Sequence, residues 1–216
     1  MLGITHFGVF LLAAFLLNIT PGPDTAYIVG RSVAQGRGAG IVSALGIGTG
    51  CLVHTLACAF GLTALIAASP MAFTVVKYAG AAYLIYLGVK LLLARPEAPT
   101  AQSAAEAPAA APARSLRQLY VQGVATNVLN PKVVLFFISF FPQFVAADSA
   151  HKTLAFLALG GVFSLQGLIW SVIVAWVAGS VTRRLAGNSA VKVWLDRVVG
   201  SAFVGLGLRL AVATQR

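Results

Sequence analysis

Two short stretches carry residue types that could do chemistry inside an otherwise apolar chain. Asn18 to Asp24 reads N-I-T-P-G-P-D, and Asn127 to Lys132 reads N-V-L-N-P-K. Each sets a proline-bearing break, asparagine amides and one charge within a hydrophobic run. Pro21, Pro23 and Pro131 have no N–H and clash with the carbonyl one turn back, so a helix should break at each, with Gly22 weakening the first further. Lipid cannot satisfy the backbone groups set free. Such breaks are tolerated only where they are packed in protein or line a watery cavity. Proline-interrupted apolar segments in corresponding positions of two halves point to the binding site of a secondary transporter. Ordinary proline kinks would look similar, but a kink needs neither Asp24 nor Lys132.

Asp24 is the sharpest candidate. Of the five acidic residues, Glu97 and Glu106 lie in an Ala/Pro-rich stretch, Asp148 in a loop and Asp196 near the end of an apolar run. A carboxylate within a span is costly and marks a substrate or proton pathway. Asp24 can bind a substrate ammonium, carry a coupling proton, or alternate between the two; the competing reading is a cap on the helix that resumes after the break. Asn18, Asn127 and Asn130 offer amides that can satisfy freed backbone groups or touch substrate. Lys132 suits a substrate carboxylate or Asp24, although its long stem would also let it reach the membrane surface. The N–H groups after Pro21 and Pro131 open half-helices that attract anions.

These residues need helices to position them, and the composition supplies membrane helices. The 216-residue chain is 59% hydrophobic and 9% charged, with mean hydropathy +0.89, whereas soluble domains carry roughly a quarter charged residues. A span takes roughly 20 apolar residues. Six follow: about His6 to Ile28, Gly40 to Ala68, Ala72 to Leu93, Leu119 to Phe141, Leu154 to Val177 and Val193 to Val212. Met1 to Asn18 lacks the basic start and cleavage region of a signal peptide. The expected fold class is an all-α polytopic membrane protein. Residues 1–93 form a first three-helix half, 94–117 an Ala/Pro-rich cytoplasmic linker and 118–216 a second half. An odd number of spans per half makes the halves point in opposite directions, a 3+3 inverted repeat with broken helices one and four.

The net charge of +10 does not form a nucleic-acid stripe; the basic residues sit in short loops, as membrane orientation requires. Arg31, Arg37, Arg95, Arg114, Arg117, Arg183, Arg184 and Lys192 fall in loops one, three and five, against Lys77, Lys152, Arg209 and Arg216 on the other side. That bias puts both termini outside and the linker in the cytoplasm.

Other groups invite weaker readings. Cys51, His54 and Cys58 share one face of span two, but a tetrahedral metal site wants a fourth ligand and none stands out. Buried packing for the cysteines, and a hydrogen-bonded helix contact for His54, are the plainer expectations. No metal or cofactor is assigned. Phe136, Phe137, Phe140, Phe141 and Phe144 form a stripe for core packing or lipid. Gly36–Gly40 and Gly46–Gly50 permit close helix approach, inside the chain or in a homodimer. Gln166 and Trp170 are cavity candidates in span five. No motif supports an enzyme, and two cysteines within one span do not suit a thiol relay.

N-I-T-P-G-P-D, the glycines from Gly36 through Gly50 to Gly61-Leu62, K-Y-A-G-A-A-Y-L-I-Y-L-G at Lys77 to Gly88, N-V-L-N-P-K, and F-P-Q-F at Phe141 to Phe144 together resemble the LysE/RhtB family of amino-acid exporters. The resemblance covers nearly the whole chain. It implies a six-helix transporter of a bacterial-type cytoplasmic membrane that exports amino acids in exchange for protons, of the lysine, homoserine, threonine or leucine efflux type. One carboxylate and one lysine match a zwitterion, and a dibasic substrate would want a further acid, so neutral amino acids are expected. A metal ion or other small metabolite on the same fold is the alternative.

Overall fold

The computed structural model describes residues 2–64, 114–146 and 148–180, with isolated positions between 69 and 93 and between 197 and 208. Most of span three, of the linker and of span six of the sequence reading lies outside these residues, and with it Lys77, Arg95, Arg183, Arg184, Lys192, Asp196 and Arg209.

Every regular element among the described residues is a helix. α1 (Phe7–Ile19) and α2 (Pro23–Gln35) make one bent pair; α3 runs Arg37–Ala57 and continues as a π-helical turn through Leu62. α4 (Leu116–Val128) and α5 (Pro131–Phe140) make a second bent pair, α5 ending in a tight 3₁₀ turn at Phe141–Phe144, and α6 runs Lys152–Ala178. Arg37–Leu62 and Lys152–Ala178 are each long and apolar enough to cross a membrane. Both bent pairs meet the same criterion if each is taken as one span, and both bend by 49°.

Local chemistry sets the boundaries. α2 opens on Pro23, which suits a first-turn position because its missing N–H has no partner there anyway. It stops at Gly36, whose φ of +85° lies in the left-handed region that favours glycine. α3 therefore begins at once, three residues earlier than span two of the sequence reading. α4 starts at Leu116, inside the stretch given to the linker, because Ser115 and Gln118 form a reciprocal capping box.

Small residues let the middle of the bundle close up. A Cβ on Gly46 would run into the Tyr120 carbonyl, and one on Gly123 would meet the Ser43 carbonyl at 2.6 Å. α3 and α4 thus cross with backbone against backbone, an approach membrane helices use because packing, not water exclusion, holds them together. Gly40 faces Ser32 and Ala175, and Gly50 faces Asn127, so Gly40, Gly46 and Gly50 serve contacts within the chain.

The phenylalanine stripe is core. Phe136, Phe137, Phe140, Phe141 and Phe144 are buried with Phe10 of α1 and Phe163 of α6. Their rings stack or meet edge-on, with Phe137–Phe141 centroids 4.2 Å apart and Phe136–Phe140 4.5 Å. Each such pair is worth about 0.5–1.5 kcal/mol beyond its buried area, so this cluster fixes α5 against α1 and α6.

The two ends of the bundle are distinct. At one end the Gln35 side chain exchanges hydrogen bonds with the backbone of Arg114, and Arg37 lies over the Trp176 ring, 4.7 Å from its centroid. That gathers loop one, the end of the linker and the C-terminus of α6 at one face. At the other, Thr5 and Gly3 pair with Phe144 and Ala146 through backbone hydrogen bonds of 2.8 Å. The Thr153 hydroxyl reaches Thr63 there too.

Candidate functional site

The site is made by the two helix breaks. In an unbroken helix the N–H of residue 21 would bond the carbonyl of Leu17, and that of residue 131 the carbonyl of Asn127. Proline removes both donors. The Leu17 carbonyl instead takes the Lys132 ammonium at 3.0 Å, and the same ammonium bonds the Thr20 carbonyl at 2.9 Å. His54 Nε2 takes the vacated place at the Asn127 carbonyl, 3.1 Å away. Because that carbonyl can only accept, Nε2 carries the proton. The Thr20 N–H (3.2 Å from Leu17) and the Asn130 N–H (3.0 Å from Asn127) complete the two arrangements.

Matching the breaks through their prolines pairs Leu17 with Asn127, Thr20 with Asn130 and Gly22 with Lys132. Asn18 stands opposite Val128 in this register. Its amide points to the Phe163 carbonyl of α6 at a long 3.5 Å.

Asp24 sits in the first turn of α2, near the positive end of the helix dipole. It does not cap that helix: the N-cap is Gly22, and no side chain satisfies it. One carboxylate oxygen accepts from the Asn127 amide at 2.8 Å, and the other is buried without a hydrogen-bond partner. A carboxylate can only accept, so the Asn127 NH₂ must face it and the amide oxygen must point elsewhere. That oxygen is also buried and unpartnered. Asn130 caps α5, its side-chain oxygen accepting from the Lys132 N–H at 3.1 Å.

A cavity of about 50 Å³ lies between the breaks. A water needs roughly 10–15 Å³ by this measure, so the cavity suits a few waters or the charged end of a small molecule. Its wall contains Asn18, Gly22, Asp24, Asn127, Asn130 and Lys132. Pro21, Pro23 and Pro131 are not in the wall; they shape the breaks that form it. Thr20 and Thr25 add hydroxyls, and Ile47, Val133, Phe163 and Leu168 an apolar side.

Several wall residues were not singled out from sequence as site residues. Phe163, Ser164, Gly167, Leu168 and Ser171 recur at helical spacing along α6. This stripe of small and hydroxyl-bearing positions was readable as one face. Gln166 and Trp170, the cavity candidates from that span, lie outside this wall. Gln166 donates toward the Leu11 carbonyl at 3.4 Å, while its oxygen and the Trp170 N–H are buried without partners. Cys51 belongs to the wall and accepts from the Ser164 hydroxyl at 3.2 Å; Cys58 faces the Phe137 carbonyl at 3.9 Å.

The chain matches the LysE type translocator family over residues 15–214, and it belongs to that family. It is 33% identical to an uncharacterized membrane protein of Pseudomonas aeruginosa over 99% of this chain and 98% of the relative. It is 30% identical to an uncharacterized membrane protein of Bacillus subtilis, covering 94% and 97%. A leucine efflux protein of Enterobacter sp. is 28% identical over 97% of this chain and 96% of its own length. No solved structure matches the chain. The family and the apolar helices make this a membrane transporter, not an enzyme.

Proposed function

We propose that this protein exports a neutral amino acid across a cytoplasmic membrane in exchange for protons, with Asp24 at the centre of the site. The observation that carries the reading is the pair of buried, unpartnered acceptors, one oxygen of Asp24 and the amide oxygen of Asn127, at a cavity that also holds Lys132. A substrate ammonium has three donors and fits such acceptors. The carboxylate would meet Lys132 and the half-helix N-termini of α2 and α5. Ile47, Val133, Phe163 and Leu168 would receive an aliphatic side chain. Asp24 is the one acidic residue of the wall among the described residues, which favours a zwitterion over a dibasic substrate. The family and the leucine efflux relatives support amino-acid export.

On this reading the chain forms two three-helix halves joined by the 94–117 linker in the cytoplasm. They make a 3+3 inverted repeat with both termini outside. The equal bends and the equivalent carbonyls at Leu17 and Asn127 support a repeat. Loading of Asp24 alternates between a proton and the substrate ammonium, which couples the two movements.

Export from cells preloaded with labelled amino acids tests the proposal. Release of one neutral amino acid, reduced to background in a membrane-inserted Asp24→Asn variant, is the expected result. Normal release by that variant would remove Asp24 from the mechanism, and no amino-acid release by the intact protein would reject the substrate class.

A further inference from the structure

The reading above places substrate at Asp24 and Asn127 and leaves His54 without a part. His54 lies on α3, outside the wall of the cavity, so it does not touch what the cavity holds. Its Nε2–H nonetheless bonds the Asn127 carbonyl at 3.1 Å, and the side chain of that same Asn127 donates to Asp24 at 2.8 Å. One residue is thus held by its backbone on one side and holds the carboxylate on the other.

We propose that His54 is a positioning residue for Asp24, acting through Asn127. Pro131 denies the Asn127 carbonyl its helical donor, and without His54 that carbonyl would keep only the Asn130 N–H of the tight turn. The peptide at the break would then be free to rotate, swinging the Asn127 amide away from Asp24. The imidazole is itself braced by the Phe137 ring, 5.7 Å between centroids. The first break makes the same use of a side chain from elsewhere: Lys132 occupies the Leu17 carbonyl that Pro21 leaves open. Two equivalent carbonyls, each taken by a donor reaching over from another helix, make the His54 contact part of the site's construction and not incidental packing. The inference rests on the reading of Asp24 as the substrate or coupling carboxylate.

The test uses the full chain with two substitutions. His54→Phe keeps a ring against Phe137 and removes the donor, whereas His54→Gln keeps an N–H for the carbonyl. Two readouts are followed: KM against maximal rate for amino-acid export, and the infrared band of the Asp24 carboxyl, assigned by its loss in Asp24→Asn. His54→Phe should raise KM about tenfold, equivalent to one weakened hydrogen bond to the substrate's charged end, and shift the Asp24 band. His54→Gln should restore both. A folded His54→Phe protein with unchanged KM and band would overturn the proposal. So would a His54→Gln protein as impaired as His54→Phe, since donation would then not be what matters. Should His54→Phe not reach the membrane, the same comparison with His54→Leu decides. The infrared band needs no substrate, so it judges His54 even if the exported solute is not an amino acid.

Discussion

The two helix breaks solve one problem with different chemistry. Both arise at a proline, both bend by 49°, and in both a carbonyl one turn back loses its helical donor. The first break is closed by Lys132, whose ammonium reaches over from the second break and spans two carbonyls. The second is closed by His54, a single donor from the neighbouring α3. The resumed helices differ as well: α5 has Asn130 as a side-chain cap, and α2 begins at Gly22 with none. The first break therefore depends on the second for its charge, while the second is self-capped and braced from the side. The acid lies in the first turn of α2, on the side without a side-chain cap.

Removing the cation should produce the largest effect. Lys132→Met leaves the Leu17 and Thr20 carbonyls without the ammonium; losing bonds to a charged donor costs about 2–4 kcal/mol. The expected outcome is lowered thermal unfolding in detergent together with lost export. Unchanged unfolding would mean that the first break does not need its cross-connection.

A double-mutant cycle sharpens the role of the second break. Pro131→Ala returns an N–H to the Asn127 carbonyl and should make the His54 bond partly redundant. The export defect of His54→Phe should then shrink in the Pro131→Ala background, with a coupling of about 1 kcal/mol. Strict additivity would show that the proline and the imidazole do not meet at this carbonyl.

The caps give the smaller effects. Asn130→Ala removes the side-chain oxygen at the start of α5 and should destabilise by about 1 kcal/mol, read from the unfolding midpoint. At the first break, Gly22 has extended backbone, and a Cβ there would sit 3.8 Å from Lys132. Gly22→Ser should fit and add the missing cap, raising the midpoint by a few tenths of a kcal/mol. If it lowers the midpoint instead, the two breaks do not share the same capping logic.

Much of this was legible before any coordinates. Pro21, Pro23 and Pro131 announce breaks by their chemistry, and α1, α3, α4 and α6 begin within one to three residues of the expected span starts. Asp24 stood out because four of the five acids lie elsewhere. Asn18 and Asn127 both precede a proline, but residue identity does not tell which carbonyl that proline leaves open. Register counted back from the proline does.

The membrane class, the two long apolar helices, the two bent pairs and the place of the breaks are set by local properties: apolar run length, missing N–H groups, and Gly36 at a left-handed turn. The sequence by itself determined these because each depends on neighbours within a turn or two. Only the tertiary structure decided that Lys132 closes the first break, that His54 closes the second and that Asn127 presents Asp24. Those contacts join residues 73 to 115 positions apart, beyond the reach of local sequence rules, and the His54 contact forms between α3 and α4, which Gly46 and Gly123 let touch backbone to backbone.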